Sequence, residues 1–330
     1  RLRTMLQGDI SNSEYHSMPE LGRSTAFDLI NTCPKLVKHN RQTIQTDAPH
    51  FVIGGAFHTA TLEPHKLDSE YGCKPIEIDG QSPRTKHYKE SFELLEKSEP
   101  QKRWLTPTDW DKVIEMSEEA KEHPFLQSYM SEPDKIIEGT GFFDLMGARC
   151  KVRPDYYCPS DGTIIDLKST TDASPKDFKK SVYKYGYAFQ AAWYLHGLRL
   201  CGEEPKRFLF FVVEKTPPYM TAIYEIASYD VDRQIPMMEK ACAKWAKCVE
   251  TGVWEGYPDD IQILDMSNKI ANGKMSISKL AKHFRLSRNT ITKYISGLER
   301  QIVGRESLYD LNEVTEAIKN GKKNKRKSKR

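Results

Sequence analysis

The stretch from Lys151 to Thr170, KVRPDYYCPSDGTIIDLKST, constrains the fold of this chain more than any other. Its Pro159-Ser160-Asp161-Gly162 cluster is a turn signal between two apolar runs, so it predicts a β-hairpin with strands over Lys151–Cys158 and Thr163–Ser169. Side chains alternate along a strand, so Asp166 and Lys168, two apart, share a face. Asp155 follows Pro154 on the preceding strand and is placed to join them. Two carboxylates and an ammonium at one sheet end make a site for a hard divalent cation with a positive charge beside it.

With 330 residues, 38% hydrophobic and 29% charged, the chain has the composition of one large or two smaller globular domains. No apolar run reaches the roughly 18 residues of a membrane helix. The N-terminus lacks a signal-peptide core and begins at Arg1, so a natural start lying upstream is expected. The seven cysteines are scattered without a C-x-x-C pair, which fits free thiols in a reducing cytoplasm.

The net charge of +4 is unevenly spread. The tail from Gly321 holds seven Lys/Arg and no acid, and residues 269–320 carry ten basic and five acidic residues. Residues 1–268 are therefore net −8, and any nucleic acid they handle needs a locally basic channel.

Along the chain, Phe27, Ile30 and Cys33 have helical spacing behind Ser24 or Thr25 as N-cap, with Pro34 breaking or restarting the helix. Gly54-Gly55 are expected to open a short helix that carries His58 and stops before Pro64. Residues 65–130 read as polar and mostly helical, with Thr108 or Asp109 capping the helix after Trp104. Lys135–Phe143 reads as the first core strand, carrying Glu138 as an additional acid, with a turn near Gly147. After the hairpin come a loop and a long helix, on which Gln190 and Tyr194, four apart, share a face. Lys179, Lys180 and Lys184 alternate with Tyr183, Tyr185 and Tyr187 there, a pattern that suits a DNA strand. RFLFFVVEK and YMTAIYEI are two further strands around Pro217-Pro218, followed by a closing helix that ends near Gly252.

Residues 263–320 read as a separate helix-turn-helix unit. Leu280, Ala281 and Phe284 form the apolar side of a first helix; Ser287 caps a second that carries Ile291, Tyr294 and Ile295. Arg288, Asn289, Thr290 and Lys293 are then the exposed recognition-helix residues, and RESLYDLNEVTEAI is a wing followed by a helix. Residues 321–330 are low-complexity and expected to be a disordered basic tail.

Arg153-Pro154-Asp155 with Asp166-Leu167-Lys168, the earlier Gly54-x-x-x-His58 and the later Gln190-x-x-x-Tyr194 together resemble the PD-(D/E)XK nuclease superfamily. The similarity is greatest to its RecE (exonuclease VIII), RecB and lambda-exonuclease group. It spans roughly residues 10–260, including a VWEGYP ending similar to that of RecE-like domains. The resemblance implies an α/β fold, a restriction-endonuclease-like mixed sheet flanked by helices over 1–262, beside the α-helical, winged helix-turn-helix domain at 263–320. It implies that His58, Asp155, Asp166 and the backbone carbonyl of Leu167 hold Mg²⁺, with Mn²⁺ able to substitute. Lys168 then orients and helps deprotonate the attacking water or stabilises the transition state, Glu138 lines the site, and Gln190 and Tyr194 position the strand.

Some RecB relatives hold an iron–sulfur cluster through a cysteine like Cys33 and a later trio. Only Cys242 and Cys248 follow in the corresponding region, so no cluster is expected. No G-x-x-x-x-G-K-[ST] occurs, so ATP is not expected to be used. The implied activity is 5′→3′ digestion of double-stranded DNA from its ends, yielding single strands for an annealing protein. A homo-oligomeric ring, no membrane association and a phage or prophage protein in a bacterial cytoplasm are implied with it. A restriction-like endonuclease of the same superfamily, and an inactive DNA-binding regulator, remain the alternatives. The helix-turn-helix departs from the usual exonucleases and leaves open whether DNA is engaged only at ends.

Overall fold

The computed structural model of the chain describes residues 6, 10–43, 49–260, 274–298, 301–303, 306–310, 313–315, 317 and 318. They fall into two compact units, Arg1–Tyr257 and Pro258–Arg330.

In the first unit, β1 (Tyr71–Cys73) and β2 (Arg103–Leu105) form a parallel pair. The main sheet is built from β3 (Ile136–Ile137), β6 (Tyr156–Cys158), β7 (Thr163–Thr170), β8 (Arg207–Glu214) and β9 (Thr221–Glu225), in that order, while β4 (Gly141–Leu145) and β5 (Ala148–Val152) pair as a hairpin of their own. β7 and β8 are parallel; the other neighbours in the main sheet are antiparallel. A parallel pair needs a crossover, supplied by the helices Pro175–Tyr185 and Tyr187–Leu200.

β7 and β8 read as continuous apolar runs because both faces are covered. Ile164, Phe208, Phe210 and Val212 pack against Phe189, Trp193 and Leu198 of the Tyr187–Leu200 helix, with Met238 and Cys242 of the Ile235–Thr251 helix behind them. Ile165, Leu167, Phe211 and Val213 pack on the other face against Phe57, Leu62, Met116 and Leu126, from the helices Pro49–Leu62, Pro107–Glu122 and Pro124–Met130. The period of two in β7 therefore turns Asp166 and Lys168 toward the Tyr187–Leu200 helix.

Several expected boundaries move, each for a local reason. The strand Lys151–Cys158 is two strands: β5 pairs with β4, and Arg153–Asp155 leave the ladder before β6 pairs with β7. Pro154 has no N–H to give, and the Asp155 carboxylate, rather than a backbone carbonyl, accepts the Leu167 N–H at 2.8 Å. The strand expected over Lys135–Phe143 is likewise divided into β3 and β4. Glu138 lies between them rather than on a strand, at φ +52°, with its N–H donating to Asp155 O at 3.1 Å.

The histidine helix begins at Pro49, not at Gly54-Gly55, because proline suits a first helical turn. Gly22 rather than Ser24 or Thr25 precedes the helix Arg23–Asn31, and Pro34 starts a fresh helix, Pro34–Gln42. Thr106, not Thr108 or Asp109, caps Pro107–Glu122 by accepting the Asp109 N–H at 3.2 Å. The single long helix after the hairpin is broken at Gly186, φ +64°, where a Cβ would lie 2.2 Å from the Phe27 ring. Only glycine fits that close, left-handed position.

In the second unit, β10 (Lys274–Ser276), β11 (Gln301–Val303) and β12 (Glu306–Asp310) form an antiparallel sheet in the order β10-β12-β11 beside the helices Ile277–Phe284 and Arg288–Ile295. Leu280, Ala281, Ile291, Ile295, Tyr309, Val314 and Ile318 form its core. Arg285, at φ +52°, makes the turn, and Ser287 accepts the Thr290 N–H at 3.1 Å to start the second helix. This is a helix-turn-helix with a β-hairpin wing. The basic tail, 321–330, lies outside the described residues. Among the described residues, no helix is long and apolar enough to cross a membrane.

Candidate metal centre

The break at Arg153–Asp155 puts a carboxylate where a strand would have put a backbone carbonyl. Asp155 Oδ2, which accepts the Leu167 N–H, lies 3.2 Å from His58 Nδ1. The left-handed turn at Glu138 brings a second carboxylate in, and single donor atoms of His58, Glu138 and Asp155 all lie within 4.8 Å of one another. A strand residue's N–H and C=O point to the same side, so the Leu167 carbonyl also faces away from β8, past the end of β6.

Asp166 stands beside this group, 2% exposed. Its Oδ1 accepts a hydrogen bond from Gln190 Nε2 at 2.6 Å. Its Oδ2 forms an ion pair with the Lys168 ammonium but has no well-aligned hydrogen bond. Lys168 also stands over the Tyr187 ring, 5.2 Å from its centroid. Burial pushes the Asp166 carboxyl up to about 6, against the pull of Lys168 and with the Asp155 charge adding to the rise. Burial works to lower Lys168, but the Asp166 and Asp155 carboxylates outweigh it and hold the ammonium above its usual range. Glu138 is also raised, by burial and then by the Asp155 charge, with Arg153 pulling the other way.

The His58 imidazole and the Glu138 and Asp155 carboxylates converge, with the Asp166 carboxylate beside them, and such an oxygen-rich set is suited to Mg²⁺ or Mn²⁺. Two carboxyls here, Asp166 and Glu138, resist ionisation through burial and the nearby Asp155 charge, and a divalent cation would relieve both. The residues therefore fit such a cation.

Arg153 ties the surroundings together. Its Nε donates to Thr140 Oγ1 and its Nη2 to Ile10 O, each at 2.7 Å. Its guanidinium lies 4.2 Å from the Tyr15 ring centroid and 3.9 Å from Glu138. Tyr194 lies four residues beyond Gln190, with its ring against Phe208, and burial raises its hydroxyl pKa.

Cavities of about 970 and 540 Å³ meet at His58 and Tyr194, which line both. Their charges differ. The larger receives Arg23, Arg41, Lys151, Lys168 and Lys215 against Asp28. The smaller receives Glu63, Glu70, Glu138 and Asp155 against Lys66 and Arg153. Phosphates are favoured on the first side and repelled on the second.

Of the residues expected from sequence, His58, Glu138, Asp155, Asp166, Lys168, Gln190 and Tyr194 come together here, and the Leu167 amide joins them through Asp155. Lys179, Lys180 and Lys184 do not. They are exposed on the Pro175–Tyr185 helix and line neither cavity, and Lys180 is paired with Asp177. Gly186 separates that helix from the one carrying Gln190.

Besides Lys168, the larger cavity is lined by Arg23, Arg41, Lys151 and Lys215, none of which the sequence marked as site residues. Arg23, the first residue of its helix, had a signal in the preceding Gly22; its Nη2 donates to Gly186 O at 2.8 Å. Lys151 shares the short strand Ala148–Val152 with Arg149, and its burial gave no signal in the sequence. It is 5% exposed, donates to Tyr15 O and Met18 O, and is lowered to about 8 by burial and then by the nearby Arg41 charge. In the second unit Arg288, Asn289 and Lys293 are exposed, whereas Thr290 is half-buried with its hydroxyl 2.8 Å from Ser287 Oγ.

Comparison with known proteins agrees with this architecture. A family described as a PDDEXK-like domain of unknown function (DUF3799) matches residues 23–267, and a helix-turn-helix, Psq domain matches 268–300. A crystal structure from Eubacterium rectale, described as that of a candidate exonuclease, is similar with a TM-score of 0.53 at 18% identity. The match covers 82% of this chain and 96% of that one. A phage-related exonuclease from Haemophilus somnus is more distant, with a TM-score of 0.32 at 13% identity over 71% of this chain and 96% of that one. Among curated proteins, none matches.

Proposed function

Because the chain belongs to the PDDEXK-like DUF3799 family, we propose that it is a Mg²⁺-dependent, ATP-independent exodeoxyribonuclease acting 5′→3′ on the ends of double-stranded DNA. The observation that supports this reading is the group His58, Glu138, Asp155, Asp166 and Lys168, gathered where the cationic cavity, lined by His58 and Lys168, meets the acidic one, lined by His58, Glu138 and Asp155. Phosphodiester hydrolysis needs charge neutralised at phosphorus and a water placed in line with the leaving oxygen.

His58, Asp155, Asp166 and the Leu167 carbonyl are the proposed holders of the cation, with Glu138 as a further ligand. When bound, Mg²⁺ acidifies a water and offsets charge developing on the phosphoryl oxygens. Lys168, kept charged by its carboxylate neighbours, places its ammonium against that developing charge; this role suits it better than taking a proton. Gln190 fixes the rotation of Asp166 through Oδ1, and Arg153 holds the Glu138 turn and the N-terminal segment around it. Arg23 and Lys151 line the side on which phosphates are favoured. The helix-turn-helix adds affinity through Arg288, Asn289 and Lys293. The single-stranded product would go to an annealing protein, and processive digestion would suit a ring of several copies.

The test is digestion of 5′-labelled linear, 3′-labelled linear and covalently closed circular duplex DNA, with Mg²⁺, Mn²⁺ or EDTA. Release of the 5′ label from linear DNA, with the circle left intact, is expected. Nicking or cutting of the circle would establish an endonuclease instead. No metal-dependent cleavage of any substrate would leave a DNA-binding regulator.

A further inference from the structure

Phe51, Gly54 and His58 recur at i, i+3 and i+7 along the Pro49–Leu62 helix, so they share one face. All three line the cationic cavity. Glycine inside a helix costs stability relative to alanine, so each needs a reason. Gly55 has one within the fold, since a Cβ there would lie 2.5 Å from the Tyr71 hydroxyl. Gly54 has none, because no heavy atom of the described residues lies within 4 Å of its would-be Cβ. The described residues leave room for a side chain at 54, and Gly54 lines the cationic cavity that His58 also lines. One turn earlier the Phe51 ring is 65% exposed. An exposed aromatic ring beside a cationic cavity is a stacking surface for a nucleobase.

We infer that the face Phe51–Gly54–His58 is the track of the scissile DNA strand, with its sugar–phosphate backbone in van der Waals contact with Gly54 and a base against Phe51. The inference deepens the nuclease reading and rests on it for the identity of the ligand. The cavity supplies the countercharges through Arg23, Lys151 and Lys215. The glycine lets the backbone approach closely enough for the phosphate next along the strand to reach the site beside His58. A methyl group at 54 would lift the strand, and a misplacement of about 1 Å at a reacting centre costs on the order of 10²-fold in rate.

The experiment compares full-length Gly54→Ala, Gly54→Leu and Phe51→Ala with wild type. It measures melting temperature, kcat/KM on linear duplex, and, in an Asp166→Asn background, binding of the same DNA by fluorescence anisotropy. Gly54→Ala is expected to melt at or above the wild-type temperature while losing at least tenfold in kcat/KM, with a greater loss for Gly54→Leu. Both are expected to weaken binding in the Asp166→Asn background, and Phe51→Ala to weaken it severalfold without lowering the melting temperature. Unchanged cleavage and binding in Gly54→Leu would overturn the inference. So would a fall in the Gly54→Ala melting temperature in step with activity, because the fold would then require the glycine. If wild type cleaves nothing, the nuclease reading fails by itself and the binding measurements alone decide the strand track.

Discussion

Asp166→Asn should stabilise the metal-free protein while abolishing cleavage. The Asp166 carboxyl is 2% exposed and titrates at about 6 in the folded chain against an ordinary 3.8. Burial is the main cause, and the raised value already includes the attraction of Lys168. The folded state thus holds this proton to higher pH than the unfolded state, so stability falls as pH rises from about 3.8 and the loss is complete above about 6. At ~1.4 kcal/mol per decade the penalty at neutral pH is about 3 kcal/mol. Asparagine resembles the protonated carboxyl, and its Oδ1 still accepts from Gln190 Nε2. The gain should therefore approach ~3 kcal/mol at pH 7.5 in EDTA, largely vanish by pH 4, and shrink when Mg²⁺ is added to wild type. Urea unfolding of both proteins at the two pH values measures it. A destabilised variant at pH 7.5, or a gain of equal size at both pH values, would refute the assignment of Asp166 as a carboxylate strained by burial.

Other consequences are separable from that one. Lys168→Ala should lower kcat by on the order of 10²-fold or more while leaving the Mg²⁺ concentration for half-maximal DNA binding unchanged, since an ammonium is not a ligand. Lys151 is held at about 8 against an ordinary 10.5, so wild-type stability should gain a contribution as pH rises from about 8 to 10.5 that Lys151→Met lacks; parallel stability–pH curves would exclude it. A chain ending near Asp265 should still digest linear DNA, with weaker binding and a shallower dependence on salt, and Arg288→Ala with Lys293→Ala should reproduce most of that loss. Light scattering of the full chain with DNA should give a closed oligomer at micromolar concentration, and a monomer would rule out the ring.

The legible part of the fold was the part dictated by short-range rules. The period of two in Ile164–Lys168 placed Asp166 and Lys168 on one face, and the four-residue spacing of Gln190 and Tyr194 placed both on one helix; in the structure Gln190 meets Asp166 directly. Ser287 capped its helix as its position ahead of an apolar-periodic run requires. The same local rules were silent on Glu138. Its apolar surroundings spelled a strand, whereas it adopts a left-handed turn beside the candidate metal group, with its N–H bonded to the carbonyl of Asp155, seventeen residues away. The lysines of the Pro175–Tyr185 helix show the converse limit: a run of basic and aromatic residues does not encode which cavity a helix lines, and Lys179, Lys180 and Lys184 line neither of the two at the site.

The break at Arg153–Asp155 shows why the motif was readable although the strand was not. A continuous strand would have spent the Leu167 N–H on a backbone carbonyl and left Asp155 to alternate with its neighbours. Pro154 ends the ladder, and Asp155 accepts that N–H through Oδ2, the same oxygen that faces His58. The carboxylate is thus anchored to the strand bearing Asp166 and oriented by the amide of the residue between Asp166 and Lys168. Arg153 then reaches back to Ile10 and Thr140 and holds the two segments flanking the candidate metal group. Each residue of Arg-Pro-Asp has a separate task, and none of the three follows from strand propensity. That is why a departure from regular pairing marks the site better than the strands around it do.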